Sequence, residues 1–396
     1  MNRIGKGPFD LLIIGGGIVG AGIAWDASLR GLSCVLLEQG EFAGGTSSKT
    51  TKLIHGGVRY LEQLDFRLVR EALRERSTLL AIAPQYVHPL PFLIPVRGSR
   101  PRPWPLILAG VVLYDWLAGE RRIGPYRFLG ERELQQEEPR LVASGYRRAA
   151  LYHDAQMDDA GLVRAVLKSA GQAGAVLRDH TRVMGLIKED GHVVGVETQN
   201  GEAIRARRVI NATGPWADRV RQLADPRAKP LVRMSKGIHL VYPDIGLKHA
   251  ILVSSQRAGR IFFVIPWKGS TLLGTTDTDY AGDPVDAKAE PEDVDYLLTE
   301  SNRALPGFDF RKEKILSTFA GIRPLIAQEG KDPWAVTRSH RVYDEFGGML
   351  TVIGGKFTTF RKIAEDVVDR VVGDFADKPL TACRTSIEKL IETKSI

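Results

Sequence analysis

The pattern of apolar and polar positions opens on DLLII, Asp10 to Ile14, which reads as a short buried strand. GGGIVG follows, and then an apolar helix predicted to end near Gly31. SCVLLE is strand-like again, so the chain begins β-turn-α-β, the start of a doubly wound sheet. From Phe66 to Ile82, FRLVREALRERSTLLAI spaces its apolar residues at helical intervals with charges between, and it stops at Pro84. That pattern predicts an amphipathic surface helix. PLPFLIPVRGSRPRPWP, rich in proline and basic residues, is predicted to be irregular. LILAGVVLYDWLAG, next, is a compact apolar run too short to span a bilayer.

Two strand-like stretches, VVGVETQN and AIRARRVINATG, lead to a glycine turn at Gly214 and a return to the first sheet. From Pro230 to about Pro306 the chain alternates apolar and polar residues (IHLVYP, RIFFVIPW, STLLGTT), the pattern of an antiparallel sheet. MLTVIGGKFTTFRKIAEDVVDRVV then reads as a strand, a glycine turn and a last helix. The stretch after Asp374 is polar and predicts nothing.

Composition adds bounds. The chain has 396 residues, 43% hydrophobic and 26% charged, an ordinary globular make-up with room for more than one domain. Its two cysteines, Cys34 and Cys383, exclude a disulfide framework and a cysteine zinc site and suit a reducing compartment. The first ten residues, MNRIGKGPFD, lack the apolar length of a signal peptide, so a cytoplasmic location is expected. A net charge of +8 favours anionic partners: phosphates, acidic lipid or nucleic acid. No aromatic-basic module supports the last.

Gly15, Gly17 and Gly20 form GxGxxG between the first strand and helix, and Glu38 ends the next strand. In such a turn the first glycine allows the bend, the second admits a pyrophosphate to the helix N-terminus, and the third packs helix on sheet. Glu38 stands where an adenosine ribose would offer its hydroxyls. The alternative is a glycine-rich turn without a ligand, and the pattern alone does not separate NAD from FAD.

GGTSSKTTKLIHGGVRYLE (Gly44 to Glu62), NATGPW, SKGIHLV, GTTDTDY, GIRPL and GGKFTTFRK, in that order, resemble the flavin-dependent glycerol-3-phosphate dehydrogenases of the D-amino-acid-oxidase-like superfamily. The resemblance covers about Asp10 to Arg370. It implies FAD as cofactor, with Thr46, Ser47 and Ser48 at the pyrophosphate and ribityl chain. His55, Gly56 and Gly57 would lie beside the isoalloxazine, and Ala212, Thr213 and Gly214 would border the adenine half. Gly354, Gly355, Lys356 and Thr358 would close over the pyrimidine end of the ring. It implies an α/β fold: a discontinuous Rossmann-like FAD-binding domain (1–95, 151–225 and 316–396) with an antiparallel β-sheet substrate domain (226–315). An irregular, apolar segment (96–150) lies between the first two parts.

By the same resemblance, Arg59, Arg323 and Lys356 direct positive charge into a substrate site beside Tyr60, His239 and Thr276. Two arginines suit a phosphate dianion. The implied substrate is glycerol 3-phosphate or a similar small phosphorylated alcohol, with His239 as first candidate base, an imidazole expected to titrate near working pH. Lys356 or Arg323 would stabilise the developing alkoxide, and a membrane quinone would accept the electrons. The run from Trp104 to Gly119, flanked by Arg97, Arg100, Arg102, Arg121 and Arg122, has two readings, a core helix or a segment on acidic lipid. The family continues into a further C-terminal helical domain, expected to be missing here. Three other readings stay open: a 2-hydroxy acid dehydrogenase, an amine oxidase, or a flavin-binding protein without catalysis.

Overall fold

In the computed structural model, which describes residues 8–97, 103–255, 260–328 and 339–392, the chain builds two sheets. The first has eight strands. Phe9–Ile14 lies at its centre between Cys34–Leu37 and Ala203–Asn211, parallel to both. Met349–Gly354 and Val176–Arg178 extend it in parallel on either side, and His340–Glu345 closes one edge antiparallel. Leu11, Leu12, Ile13, Val35 and Leu36 are buried, as strands covered on both faces require. One neighbour of the first strand follows it directly while the other arrives from far along the chain. A crevice therefore opens at its C-terminal end, where such sheets bind ligands.

Helix Ile18–Arg30 leaves that crevice from Gly17 and stops at Gly31, whose φ of 99° is left-handed. Its first turn carries no acidic residue, which leaves its N–H groups and dipole to attract an anion. Gly20 sets its height: a Cβ there would lie 1.9 Å from the Gly15 carbonyl oxygen. The predicted helix Phe66–Ile82 is present, and one member of its buried face is a cation, Arg76. Glu75, also buried, pairs with Arg361 at 2.7 Å and ties this helix to the last one, Phe360–Val372.

The second sheet has ten strands, including Arg148–Met157, Val232–Pro243, Ile261–Trp267 and Ser317–Ile326. It is antiparallel except where Val87–Val96 runs parallel to Ala250–Ser254. The part of Val87–Val96 from Pro89 on was expected to be irregular. Its prolines, Pro89, Pro91 and Pro95, share one parity, so their missing N–H groups point to one side, and that edge is paired only at Phe92 and Leu93. Sheet membership also departs from the expected limits. Leu53–Ile54, nearly all of Val87–Val96, most of Arg148–Met157, and Ser317–Ile326 come from the three segments expected in the first domain, yet all belong to the second sheet. Pairing across such sequence distances leaves no local pattern to read.

In the segment 96–150, helix Trp104–Ala118 buries Ile107, Val111, Tyr114 and Ala118 against the second sheet. Its other side leaves Leu106, Val112 and Trp116 open, the last 70% exposed. Among the described residues no helix is long and apolar enough to cross a membrane.

The glycines of the first turn separate by mutation. Gly20→Val forces the helix off the strand and should give little folded protein. At Gly17 a Cβ would meet only the Ser47 hydroxyl, at 3.1 Å. Gly17→Val should therefore keep the parent's circular dichroism and melt within about 1 kcal/mol of it, yet emerge without flavin. A flavin-loaded Gly17→Val protein would contradict the assignment of this turn.

Candidate functional site

A cavity of about 1030 Å³ runs between the two sheets. At one end it is lined by Gly15, Gly17, Glu38, Thr46, Ser47, Ala212, Thr213 and Gly214. At the other are His55, Gly57, Arg59, Tyr60, His239, Thr276, Arg323, Gly354, Gly355, Lys356 and Thr358. Three expected residues stand behind the wall. Gly20 packs helix on strand, Ser48 closes its own loop on the Gly45 carbonyl at 3.4 Å, and Gly56 turns its N–H to Asp154 at 3.2 Å.

The first end is built from backbone. Gly15 takes a φ of 112°, and a Cβ on it would meet the Ala212 carbonyl oxygen at 2.6 Å, which brings the ends of two neighbouring strands together. Glu38 accepts from the N–H groups of Gly16 at 2.7 Å and Gly40 at 3.0 Å, so its carboxylate is fixed at the crevice edge. Ser47 accepts from the Ile18 N–H at 3.0 Å, and Thr46 donates to the Ile322 carbonyl at 2.6 Å. The loop between them thus joins the helix start to the second sheet. Gly17 is the exception: no protein backbone crowds it, and the side chain it lacks would fill the cavity. That absence, the uncapped helix start and the fixed carboxylate fit a dinucleotide whose pyrophosphate lies on the helix and whose ribose reaches Glu38.

The second end is built from cations. Arg323, on Ser317–Ile326, lies against Gly237, where a Cβ would be 2.2 Å from its Nη2. Its guanidinium donates to the Thr276 carbonyl at 3.2 Å and the Thr275 hydroxyl at 2.8 Å and pairs with Asp277 at 3.4 Å. Burial and the neighbouring Arg59 push its pKa down, against Asp277. Burial also works against the Arg59 cation, but Tyr60 and Asp277 more than offset it. Arg59 and Lys356 lie 5.0 and 4.8 Å from the Tyr60 ring centre, and Lys356 Nζ donates to the His55 and Gly56 carbonyls at 3.1 and 3.3 Å. Thr276 spends its hydroxyl on the Ile238 N–H at 3.1 Å, so its part is to offer a carbonyl to Arg323.

His239 does not titrate near working pH. It is buried on Val232–Pro243, stacked on Phe319 with ring centres 4.7 Å apart, and Nε2 meets the Thr51 hydroxyl at 3.1 Å. Burial, then Arg323 and Lys52, push its pKa down to about 3. Burial and the cations Lys356, Arg59 and Arg76 hold His55 well below the usual histidine range as well. Both imidazoles are neutral.

Asp277, Thr275 and Gly237, which shape Arg323, had not been singled out, although they lie inside GTTDTDY and SKGIHLV. Arg76 and Asp154, an ion pair at 2.8 Å, were missed too. Their signal was a charge in phase with the apolar face of a helix and another inside an apolar strand.

The chain matches the model of the family described as FAD dependent oxidoreductase over residues 10–356. It is 39% identical to a glycerol-3-phosphate dehydrogenase of Synechocystis over 388 residues, 92% of this chain and 70% of that one. It is 39% identical to one of Mycobacterium leprae over 378 residues, 93% of this chain and 64% of that one. The X-ray structure of the glycerol-3-phosphate dehydrogenase from Bacillus halodurans complexed with FAD superposes with a TM-score of 0.78 at 31% identity, covering 97% of this chain and 68% of that one. The chain spans about two thirds of the length of these relatives. With a dinucleotide crevice, a cation cluster facing it and these likenesses, the chain belongs to the FAD dependent oxidoreductase family, with glycerol-3-phosphate dehydrogenases among its relatives.

Proposed function

We propose that this chain, with FAD in the cavity, oxidises sn-glycerol 3-phosphate to dihydroxyacetone phosphate. The observation that carries the reading is the meeting of Arg59, Arg323 and Lys356 at one end of the cavity. A carboxylate substrate calls for one bidentate arginine, whereas three cations suit a phosphate dianion, which disfavours the 2-hydroxy acid and amine readings. FAD, when bound, would supply the hydride acceptor, with a membrane quinone as the onward acceptor. Arg323 and Arg59 would hold the phosphate, and Lys356 would lie by the pyrimidine end of the ring, where its charge favours an anion. The hydroxyl proton of the substrate would pass to His239 as the alcohol carbon is oxidised. The imidazole is neutral, as a base must be; burial is the first cause of its low pKa, and the phosphate would offset the second, Arg323.

The outer side of helix Trp104–Ala118 supports a contact with acidic lipid. Leu106, Val112 and Trp116 are exposed there, with Tyr126 and Phe128 nearby, and Arg121 and Arg122 follow its end. Arg100 and Arg102 lie outside the described residues. A face of this kind suits the membrane interface, where a quinone is found.

Two measurements test these assignments. Arg323→Ala removes a charge-assisted contact worth roughly 2 to 5 kcal/mol, so kcat/KM for glycerol 3-phosphate should fall on the order of a hundredfold or more, with little change for unphosphorylated glycerol. His239→Asn should slow both substrates alike, by about a hundredfold. Parental rates with Arg323→Ala would remove the phosphate assignment. For the surface helix, Trp116→Ser should release the protein from vesicles containing acidic lipid. Equal sedimentation of the parent with neutral vesicles, or none with acidic ones, would remove the lipid contact.

A further inference from the structure

The peptide between His55 and Gly56 is gripped at both polar ends. Its carbonyl accepts from Lys356 Nζ at 3.1 Å, and its N–H donates to Asp154 Oδ1 at 3.2 Å. Asp154 is 1% exposed. Besides Gly56, it accepts from Arg76 Nη1 at 2.8 Å and from the Tyr114 hydroxyl at 2.8 and 2.9 Å. Arg76 Nη1 also donates to the His153 carbonyl at 2.9 Å, and the Tyr114 ring stands edge-on to Tyr152, centres 5.7 Å apart. The loop has no slack here: a Cβ on Gly56 would meet the Tyr114 hydroxyl at 2.4 Å and Leu73 at 2.7 Å.

For stability alone, a carboxylate, guanidinium and phenol in the core do no better than apolar side chains of the same volume. What distinguishes this group is its direction. A carboxylate at the N–H end of a peptide polarises the bond and makes the carbonyl at the other end a stronger acceptor, and charge-assisted bonds are the strong ones. That carbonyl is the nearer of the two that hold the Lys356 ammonium, at 3.1 Å against 3.3 Å for Gly56.

We propose that Asp154, oriented by Arg76 and Tyr114, is a positioning residue that acts through the His55–Gly56 peptide to fix Lys356 in the cavity. The proposal rests on the reading of Lys356 as the cation beside the flavin's pyrimidine end. Asp154 borders the cavity, but its carboxylate is taken up by the Gly56 N–H, Arg76 and Tyr114.

The test is the midpoint potential of the bound FAD, measured without substrate, so that it stands or falls apart from the glycerol 3-phosphate reading. Lys356→Met should make the potential more negative, because a cation beside the reduced ring is lost. Asp154→Asn should shift it the same way by less, and the double variant should match Lys356→Met alone, since Asp154 acts only through the lysine. Tyr114→Phe keeps the ring and loses one donor. It should give a smaller shift of the same sign, also silent in the Lys356→Met background, and it decides the matter if Asp154→Asn fails to fold. Shifts that add in full to that of Lys356→Met, or unchanged potentials in Asp154→Asn and Tyr114→Phe, would overturn the proposal. An unchanged potential in Lys356→Met itself would overturn the placement of the lysine on which it rests.

Discussion

Three cations cannot be gathered at the end of a buried cavity unless something opposes their repulsion and the loss of their hydration. Here the opposition is partial. Asp277 and three backbone carbonyls face Arg323 and Lys356, and the Tyr60 ring lies within 5.0 Å of both Arg59 and Lys356. Arg59 still depresses Arg323. A dianion completes such a cluster, and much of the surrounding architecture serves to hold it ready: Gly237 yields space to the guanidinium, and Gly57, at a φ of 84°, lets Tyr60 fold beside Lys356. Burial first, and the cations beside them second, keep His55 and His239 neutral, and a bound dianion would ease the uptake of a proton at His239.

The two sheets divide the labour between backbone and side chain. Around the first strand, tight glycines and a helix start make a surface of N–H groups suited to a pyrophosphate, much the same whatever the substrate. The second sheet supplies side chains, and in it Val232–Pro243 and Ser317–Ile326 run antiparallel in register over ten residue pairs, Val232 to Ile326 through Val241 to Ser317. That long ladder sets Ser235 opposite Arg323 and His239 opposite Phe319. The Thr46–Tyr60 stretch belongs to both worlds, bonded to the helix through Ser47 and to the second sheet through Thr46.

What could be read in the sequence was what is local. The turn at Gly15, Gly17 and Gly20, the helix ending at Gly31 and the position of Glu38 follow from a strand, a bend and a helix within thirty residues. The cations were legible only inside motifs, because nothing about a lone arginine says whether it faces solvent. The pairing behind the wall was not legible, because Asp154 meets Arg76 across 78 positions and Tyr114 across 40. The strand Val87–Val96 was hidden by its prolines, which mark a turn in isolation and an open edge in a sheet. The acidity of His239 was misjudged because it depends on burial by Phe319 and on Lys52 and Arg323, all brought in from elsewhere.

The central claim, that the cation cluster selects a phosphorylated alcohol for oxidation beside the flavin, is tested most directly by anaerobic titration of the purified yellow protein. Its visible absorbance should bleach with sn-glycerol 3-phosphate and remain with glycerol, a small amine or a 2-hydroxy acid at the same concentration. Bleaching by the hydroxy acid or the amine, with the absorbance untouched by glycerol 3-phosphate, would contradict the account.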